Sequence, residues 1–474
     1  MIVNFLYQGI YQILALILPL ITIPYTSRVL GAEGIGLYSY SYAVVSYFVS
    51  FANMGINIYG NRGIAATQND KDKRSQLFCD LLTIQMIFSL SALLVDVIMI
   101  GAGAWENKVA FLVQGIYIIG QAFDINWLYF GMEKFKITVI RNLIVKIFTT
   151  VLIFVLIKEP ADLIVYLLIL AIGTVAGNSA VWLFVKQYIT YKRPILVNIK
   201  QYIKPIIILL IPSFAVKIYT QMDKIFVEHF CGLMEVGYYE NSEKIISISL
   251  VLITALSTVM LPRMANLSAE NKKEEFNSLF QKVMAVTIWL TIALMFGIIG
   301  ISDNFVLLYL GENFSSCIVL VIVLAITIPF KGCAEIIRRG YIIPQKCDYI
   351  YVISVFSGAG VNIIINFLLV PYYGAIGAAV GTVMAEAMVF FIQAWKIKED
   401  INMYKYIRKA SVYIGIGLFM LFCVKEVNQY TSNLSLILSV LLQIMAGIGC
   451  YLAGTCVLRL LRFGKSYFFK NNRG

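Results

Sequence analysis

Residues 283–301 read V-M-A-V-T-I-W-L-T-I-A-L-M-F-G-I-I-G-I and contain no charged side chain. A helix needs about 20 apolar residues to cross the hydrocarbon core of a bilayer, so this stretch predicts one membrane span. Thirteen other predominantly apolar runs predict further spans at 3–25, 35–57, 81–103, 109–130, 143–157, 163–185, 205–229, 240–261, 316–336, 349–370, 375–395, 410–427 and 435–458. The sequence therefore predicts an all-α integral membrane protein with about 14 transmembrane helices.

The composition excludes the main soluble classes of protein. Of the 474 residues, 60% are hydrophobic and only 14% are charged, whereas a soluble domain has roughly 25% charged residues. The mean hydropathy is +0.82. A soluble enzyme could not keep so much apolar surface away from water, and a disordered chain would be far more polar. The long apolar runs also lack the strict alternation of outer-membrane β-strands.

Basic residues are distributed unevenly between the connections. One set of connections holds 29 Lys and Arg residues, at 58–80, 131–142, 186–204, 262–282, 337–348, 396–409 and the tail 459–474. The opposite set, at 26–34, 104–108, 158–162, 223–239, 302–315, 371–374 and 425–434, holds five. Because basic loops stay in the cytoplasm, this asymmetry predicts that both termini are cytoplasmic.

An internal repeat divides the chain. The segment G-A-E-G-I-G-L-Y-S-Y-S from Gly31 is similar to G-L-M-E-V-G-Y-Y-E-N-S from Gly232, an offset of 201 positions (232 − 31). Six spans separate the two segments, so the halves run in the same direction through the membrane. Parallel repeats of this kind are typical of alternating-access transporters. We predict an N-terminal lobe at 1–200, a C-terminal lobe at 201–395, and two further helices with a basic cytoplasmic tail at 396–474.

Polar side chains follow one face of the first, second, seventh and eighth spans. They are Asn4, Gln8 and Gln12; Tyr38, Tyr42, Ser46, Ser50, Asn53 and Asn57; Ser213, Lys217, Thr220, Gln221, Lys224 and Glu228; and Glu240, Glu243, Lys244 and Ser247. Steps of three or four residues put each set on one helix face. A polar face avoids lipid, so these spans are predicted to line a shared central cavity. The alternative is that the polar groups only hydrogen-bond neighbouring helices together.

The other charged residues within the spans are interpreted one by one. Lys331 and Glu335 are four residues apart, which favours a structural ion pair. Asp96 and Asp124 fit either helix packing or the binding of a coupling ion. Glu386 has no basic partner nearby in sequence, which favours a functional role, and His229 is interpreted as an interface residue.

The sequence predicts no metal site and no cofactor. The eight cysteines are scattered, without a Cys-x-x-Cys pair, and the chain has one histidine. Zinc and iron–sulfur sites need clustered Cys and His ligands. The net charge of +12 is explained by the cytoplasmic loops, so no nucleic-acid partner is predicted. The first 27 residues are uncharged and are interpreted as a first span rather than a signal peptide.

Three motifs resemble one transporter family. They are L-P-L-I-T-I-P-Y-T-S-R-V-L-G-A-E-G-I-G-L-Y at 18–38, M-D-K-I-F-V-E-H-F-C-G-L-M-E-V-G-Y-Y-E-N-S-E-K-I-I at 222–246, and V-N-I-I-I-N-F-L-L-V-P-Y-Y-G-A-I-G-A-A-V-G-T-V-M-A-E at 361–386. These motifs are similar to those of bacterial Wzx-type flippases, which translocate polysaccharide repeat units for O-antigen or capsule. That family belongs to the multidrug/oligosaccharidyl-lipid/polysaccharide exporter superfamily.

The resemblance implies two six-helix lobes around a cationic cavity, with two appended C-terminal helices. It also implies alternating-access transfer of an undecaprenyl-pyrophosphate-linked oligosaccharide to the outer leaflet of the bacterial cytoplasmic membrane. Implied partners are this lipid-linked glycan, membrane lipids, H⁺ or Na⁺, and the glycan polymerase machinery.

Individual residues are assigned roles from these patterns. Arg28, Lys217, Asp223, Lys224 and Glu386 match family positions. The predicted substrate-binding residues are Arg28, Lys217, Lys224, Asn53, Asn57 and Tyr42. The predicted ion-coupling acids are Asp223, Glu228, Glu240 and Glu386, of which Glu240 has no match in the family.

Two alternative functions stay open at this point. A lipid II flippase or a multidrug or metabolite antiporter would use the same scaffold, although Lys217 would repel a cationic drug and attract a pyrophosphate. A membrane glycan polymerase or ligase is disfavoured, because no outer connection exceeds the 17 residues of 223–239 and no catalytic motif is visible. The protein is therefore predicted to be a transporter and not an enzyme.

Overall fold

The computed structural model describes the backbone of residues 2–398, 401, 404–431 and 433–471. Side chains are described for 18–211, 214–398, 401, 406, 408–431, 433–458 and 460. The side chains of Asn4, Gln8, Gln12 and Ser213, which belong to the predicted polar faces, lie outside this description.

The described residues form sixteen α-helices, linked by short turns and loops. They are α1 (Ile2–Asn53), α2 (Ile56–Ala66), α3 (Lys71–Gly101), α4 (Lys108–Ala122), α5 (Asn126–Gly131), α6 (Phe135–Leu156), α7 (Leu163–Ala180), α8 (Val185–Tyr188), α9 (Leu196–Cys231), α10 (Leu233–Ala269), α11 (Lys273–Leu310), α12 (Cys317–Ala325), α13 (Thr327–Ile337), α14 (Asp348–Lys396), α15 (Tyr404–Tyr430) and α16 (Leu436–Asn471). The predicted all-α membrane fold is confirmed. In a bilayer, a helix satisfies every backbone hydrogen bond within its own segment.

The described helices include ten or eleven candidate membrane spans. Ten helices among the described residues are long and apolar enough to cross a membrane, or eleven if the bent pair 196–211 and 214–231 counts as one span. Glycine breaks the helical conformation within two long helices, at Gly31 of α1 and Gly374 of α14. The total of fourteen spans therefore stays a prediction.

Three predicted outer connections each contain a glycine that separates two helices, at Gly31, Gly232 and Gly374. The segments 26–34 and 371–374 are helical except at Gly31 and Gly374, and α9 and α10 extend through 223–239 with only Gly232 between them. Polar residues in these segments lowered the local hydropathy, although a helix can continue beyond the hydrocarbon core. The ends of these helices therefore carry charged residues that the sequence analysis placed in loops.

The contacts divide the chain into two units, Met1–Glu240 and Asn241–Gly474. In the first unit, α1 packs against α3, α4, α6 and α9. Its core contains the fully buried side chains of Phe111, Trp127 and Tyr129. Asp70 caps the start of α3, where its carboxylate accepts hydrogen bonds from the backbone N–H groups of Asp72 and Lys73 at 3.1 and 3.0 Å. These bonds, mainly the one from Lys73, hold the pKa of Asp70 below its usual value.

In the second unit, α11 is the central helix. It packs against α12, α13, α15 and α16, and its buried residues Phe276, Phe280 and Met284 lie in an apolar cluster of the unit. Large side chains on the outer faces are exposed, for example Phe367, Phe422 and Met445. Exposed apolar faces around a buried core are expected of helices surrounded by lipid.

Candidate functional site

The second part of α1 and the start of α10 touch through glycine. A Cβ atom added to Gly36 would lie 1.8 Å from the carbonyl oxygen of Leu233, and one added to Gly237 would lie 1.9 Å from that of Ala32. Gly36 and Gly237 are 201 positions apart, as are Ala32 and Leu233. The contact is therefore reciprocal between equivalent positions of the two repeat segments. Only glycine lets two helix backbones approach so closely.

The glycines before this contact also correspond. Gly31 has φ 70° and ψ 176°, and Gly232 has φ 84° and ψ 177°. Residues with a side chain rarely adopt this region, so both positions require glycine. The sequence repeat thus corresponds to a repeated backbone geometry that ends one helix and starts the next.

One helical turn after the glycine contact, a buried carboxylate joins three helical segments. The Glu240 carboxylate accepts a hydrogen bond from the Ser39 hydroxyl of α1 at 2.7 Å. The same oxygen, Oε2, lies 2.6 Å from the Lys224 ammonium of α9. The side chains of Lys224 and Glu240 are 8% and 10% exposed, so the two charges neutralise each other away from water. Removing one partner of a buried pair typically costs about 3–5 kcal/mol, because the other charge is left uncompensated.

Four tyrosines form an aromatic cluster in the same unit. Tyr38 and Tyr42 of α1 have ring centroids 6.1 Å apart. Tyr166 of α7 packs edge-on against Tyr38 at 5.4 Å, and Tyr117 of α4 packs edge-on against Tyr42 at 5.3 Å. The rings have apolar faces and polar hydroxyl ends, a combination suited to a ligand that is partly apolar and partly hydrogen-bonding.

Two predicted ion-coupling acids lie on α9. Asp223 is buried and accepts a hydrogen bond from the Tyr239 hydroxyl at 2.6 Å. Glu228 is half-buried and lies beside Tyr40. Together with Glu240, these acids lie near the end of α9 and the start of α10.

The predicted substrate-binding residues differ in exposure. Lys217 is half-buried on α9, two turns before Lys224 and on the same face. Tyr42, Asn53 and Asn57 are half-buried, and Arg28 is exposed. The structure therefore brings Tyr42 and Lys224 into one neighbourhood with Glu240, while Arg28, Asn53 and Asn57 lie elsewhere along α1 and α2.

The predicted pairing of Lys331 with Glu335 requires a correction. Lys331 lies 3.5 Å from Glu386 of α14, and the Glu335 carboxylate binds Arg338 and Arg339 at 2.6 and 2.5 Å. Glu386, for which the sequence offered no basic partner, is therefore paired with Lys331. Helical spacing identifies residues on one face but does not identify what the adjacent helix presents to that face.

The two other intramembrane acids have different surroundings. Asp124 accepts hydrogen bonds from the backbone and side-chain N–H groups of Asn126 at 3.0 and 2.6 Å. Asp96 is 1% exposed and one of its oxygens has no hydrogen-bond partner among the described residues.

Sequence reasoning missed several neighbours of the charged pair. Ser39, Tyr239, Tyr117 and Tyr166 contact the residues discussed above, yet they carry no charge and the sequence analysis gave none of them a role in the site. A signal for Ser39 was present, because it lies 201 positions before Glu240.

Comparison with known proteins identifies the family. Residues 2–268, more than half of the chain, match the protein family described as "Polysaccharide biosynthesis protein". The chain belongs to this family. The family membership that the three sequence motifs predicted is confirmed.

Two relatives are similar over most of their length. A putative O-antigen transporter of Shigella dysenteriae is 24% identical over 80% of this chain and 96% of its own. The capsular polysaccharide biosynthesis protein CapF of Staphylococcus aureus is 22% identical over 81% of this chain and 96% of its own.

Solved structures of transporters share the fold. The lipid II flippase MurJ in an inward closed conformation has a TM-score of 0.66 at 16% identity, covering 97% of this chain and 99% of its own. An inward-facing multidrug resistance MATE family transporter of the MOP superfamily has a TM-score of 0.62 at 14% identity, covering 82% and 99%. This family member therefore has the fold of the exporter superfamily that the sequence resembled.

Proposed function

We propose that this protein is a flippase for surface polysaccharide synthesis, such as that of O-antigen or capsule. It moves an undecaprenyl-pyrophosphate-linked oligosaccharide from the cytoplasmic to the outer leaflet by alternating access. The observation that carries the proposal is the face of α9, which holds the half-buried Lys217 and the buried Lys224 within a membrane-spanning unit. Membrane-embedded charges are costly and are typically retained for a function.

The chemistry of this face favours an anionic substrate. Lys217 contributes a positive charge. Lys224 is paired with Glu240, until an anion with more negative charge competes for its ammonium group. A pyrophosphate carries two negative charges and several acceptor oxygens, so it can replace Glu240 on Lys224. The tyrosine cluster beside the pair then supplies aromatic and hydroxyl groups to the glycan.

The same exchange connects substrate binding to opening of the outer side. Glu240 bridges α9, α10 and, through Ser39, α1, next to the glycine contact that holds α1 and α10 together. When the pyrophosphate displaces Glu240 from Lys224, Glu240 no longer connects α9 to α1 and α10. A ligand shifts the equilibrium between the closed and the open state only if it binds the two states with different affinity. The pyrophosphate does so here, because it binds Lys224 only when Glu240 has left it.

Two other functions are compatible with the fold. MurJ is named as a lipid II flippase and the MATE protein as a multidrug transporter, so both activities are alternatives for this scaffold. The two lysines favour a pyrophosphate-linked lipid over a cationic drug. The nature of the glycan distinguishes a repeat-unit flippase from a lipid II flippase.

A proteoliposome assay tests the function and its energy source together. We expect the purified protein to flip an undecaprenyl-pyrophosphate-linked glycan and to act poorly on the matching monophosphate-linked glycan. Moving two negative charges outward from a negative interior gains about 4–5 kcal/mol at 100 mV. We therefore expect flipping to increase when potassium and valinomycin impose that potential, without a pH or sodium gradient.

Two results of this assay would contradict the proposal. Flipping of a drug but of neither glycan would favour the antiporter. Flipping that ignores the potential but follows an imposed proton or sodium gradient would favour obligatory ion antiport. In that case Asp223, Glu228, Glu240 and Glu386 are the proposed H⁺ or Na⁺ sites, and the electrical account is abandoned.

We also propose that the protein lies in the bacterial cytoplasmic membrane with both termini in the cytoplasm. Asn69 and Asn433 are exposed and lie on opposite sides in this orientation. In a cysteine-free background that still exports glycan, a membrane-impermeant thiol reagent should label Asn433→Cys and leave Asn69→Cys unlabelled. The reversed pattern would overturn the orientation. A polymerase on the outer side is the proposed recipient of the flipped unit.

A further inference from the structure

Two adjacent arginines follow α13 in the second unit. Arg338 and Arg339 begin a π-helical turn, Arg338–Ile342, in which the Ile343 N–H donates to the Arg338 carbonyl at 2.9 Å. The sequence analysis counted both arginines only as part of a basic loop. Single π turns within membrane or soluble helices are often found at functional sites.

Both guanidinium groups are held by one carboxylate. Arg338 Nη2 lies 2.6 Å from Glu335 Oε2, and Arg339 Nε lies 2.5 Å from Glu335 Oε1. The Ser257 hydroxyl of α10 donates to Glu335 Oε1 at 3.4 Å. Glu335 thus holds the two planar groups beside each other and neutralises one of their two positive charges.

The two arginines keep donors for a ligand. Arg339 also donates to the Thr258 hydroxyl at 2.8 Å, and Arg338 donates to the Tyr351 hydroxyl at 3.4 Å while lying 5.2 Å from the ring centroid. Among the described residues, each guanidinium thus uses about two of its five N–H groups. Their side chains are 30% and 25% exposed, so the remaining donors are accessible.

The charge balance distinguishes this cluster from the other embedded charges. Lys224 with Glu240 and Lys331 with Glu386 are pairs of opposite charge. Two arginines with Glu335 leave one positive charge in excess. A half-buried excess charge has less water to stabilise it, so it favours an anionic ligand.

The cluster lies near one end of the second unit. The turn after the arginines meets the end of α10, where the Ser268 hydroxyl donates to the Pro344 carbonyl at 3.1 Å. The connections at this end, 262–282 and 337–348, belong to the strongly basic set. In the proposed orientation this end faces the cytoplasm, so the arginines lie at the depth of the inner-leaflet headgroups.

We propose that Arg338 and Arg339 form a capture site for the diphosphate of a prenyl diphosphate lipid in the inner leaflet. Two guanidinium groups side by side match two linked phosphates, since each planar group can donate two parallel hydrogen bonds. The inference rests on the proposed function, because the lipid captured here is the one delivered to the lysines of α9.

A binding experiment tests the site without requiring transport. The full-length protein in phosphatidylcholine nanodiscs is titrated with radiolabelled farnesyl diphosphate, as wild type and as Arg338→Gln, Arg339→Gln and Glu335→Gln. We expect each arginine variant to bind roughly ten-fold more weakly. Glu335→Gln raises the net charge of the cluster and should bind more tightly. Arg263→Gln is the matched control, because Arg263 is an exposed arginine of the same unit.

Three results would overturn the inference. The first is unchanged binding by both arginine variants. The second is a loss for Glu335→Gln as large as for the arginine variants, which indicates that the cluster only stabilises the fold. The third is complete displacement of the probe by excess phosphatidylglycerol, which indicates a general anionic-lipid contact.

The flipping assay separates this inference from the proposed function. We expect Arg339→Gln to raise the lipid-linked glycan concentration needed for half-maximal flipping and to retain the maximal rate. If the wild type flips no glycan while arginine-dependent binding persists, the proposed function fails and the diphosphate site stands. If the wild type flips glycan and the arginine variants match it at low substrate, the capture site fails alone.

Discussion

Glycan export is expected to fall to background when Lys217 is replaced by alanine, although the protein still inserts into the membrane. Lys217 is half-buried within α9, where a charge costs about 2.5–3.5 kcal/mol on insertion scales. Loss of this charge should therefore not weaken insertion. It should remove the attraction for the pyrophosphate, whereas Lys217→Arg keeps the charge with altered geometry and should retain partial export.

The measurement is surface polysaccharide in a strain that lacks the native gene, with the protein level in the membrane determined in parallel. Lys204→Ala is the matched control, because Lys204 lies on the same helix but is exposed near its start. Normal export by Lys217→Ala would show that this charge has no part in translocation, and the cationic face of α9 would lose its proposed role.

Replacing Gly36 by alanine is expected to abolish export as well, for a steric reason. The new methyl group would lie 1.8 Å from the Leu233 carbonyl oxygen, which is backbone and cannot move aside alone. Overpacking within a tight contact typically costs about 1–3 kcal/mol. The strain should separate α1 from α10, weaken the Ser39–Glu240 hydrogen bond and prevent the outer side from closing.

The repeat gives this prediction an internal check. A Cβ atom at position 237 would lie 1.9 Å from the Ala32 carbonyl oxygen. Gly237→Ala should therefore reproduce the phenotype of Gly36→Ala. Gly34→Ala is the control, because its nearest neighbour would be the Leu30 Cβ at 3.2 Å and the others are side-chain atoms of Leu163 near 3.8 Å. Export by either contact variant at the level of Gly34→Ala would mean that this close approach is not needed for transport.

The embedded charges show where sequence reasoning reaches its limit. Helical spacing places Lys217 and Lys224 on one face, because residues on a helix return to the same side every three or four positions. It does not reveal that Lys224 meets Glu240. It also proposed Glu335 as the partner of Lys331, where the structure shows Glu386. Contacts between residues far apart in sequence depend on how helices pack, which local spacing does not encode.

The sequence alone determined that the chain is a helical membrane protein built from a repeat. Hydropathy is sufficient for this because a bilayer offers the backbone no hydrogen-bond partners, so long apolar segments must be helical. The offset of 201 likewise identified Gly36 and Gly237 as equivalent positions. Only the tertiary structure showed that these two glycines meet, that Ser39 and Glu240 bond beside them, and that Arg338 and Arg339 share Glu335. Those contacts depend on distances of a few ångströms between helices, which packing sets and hydropathy does not.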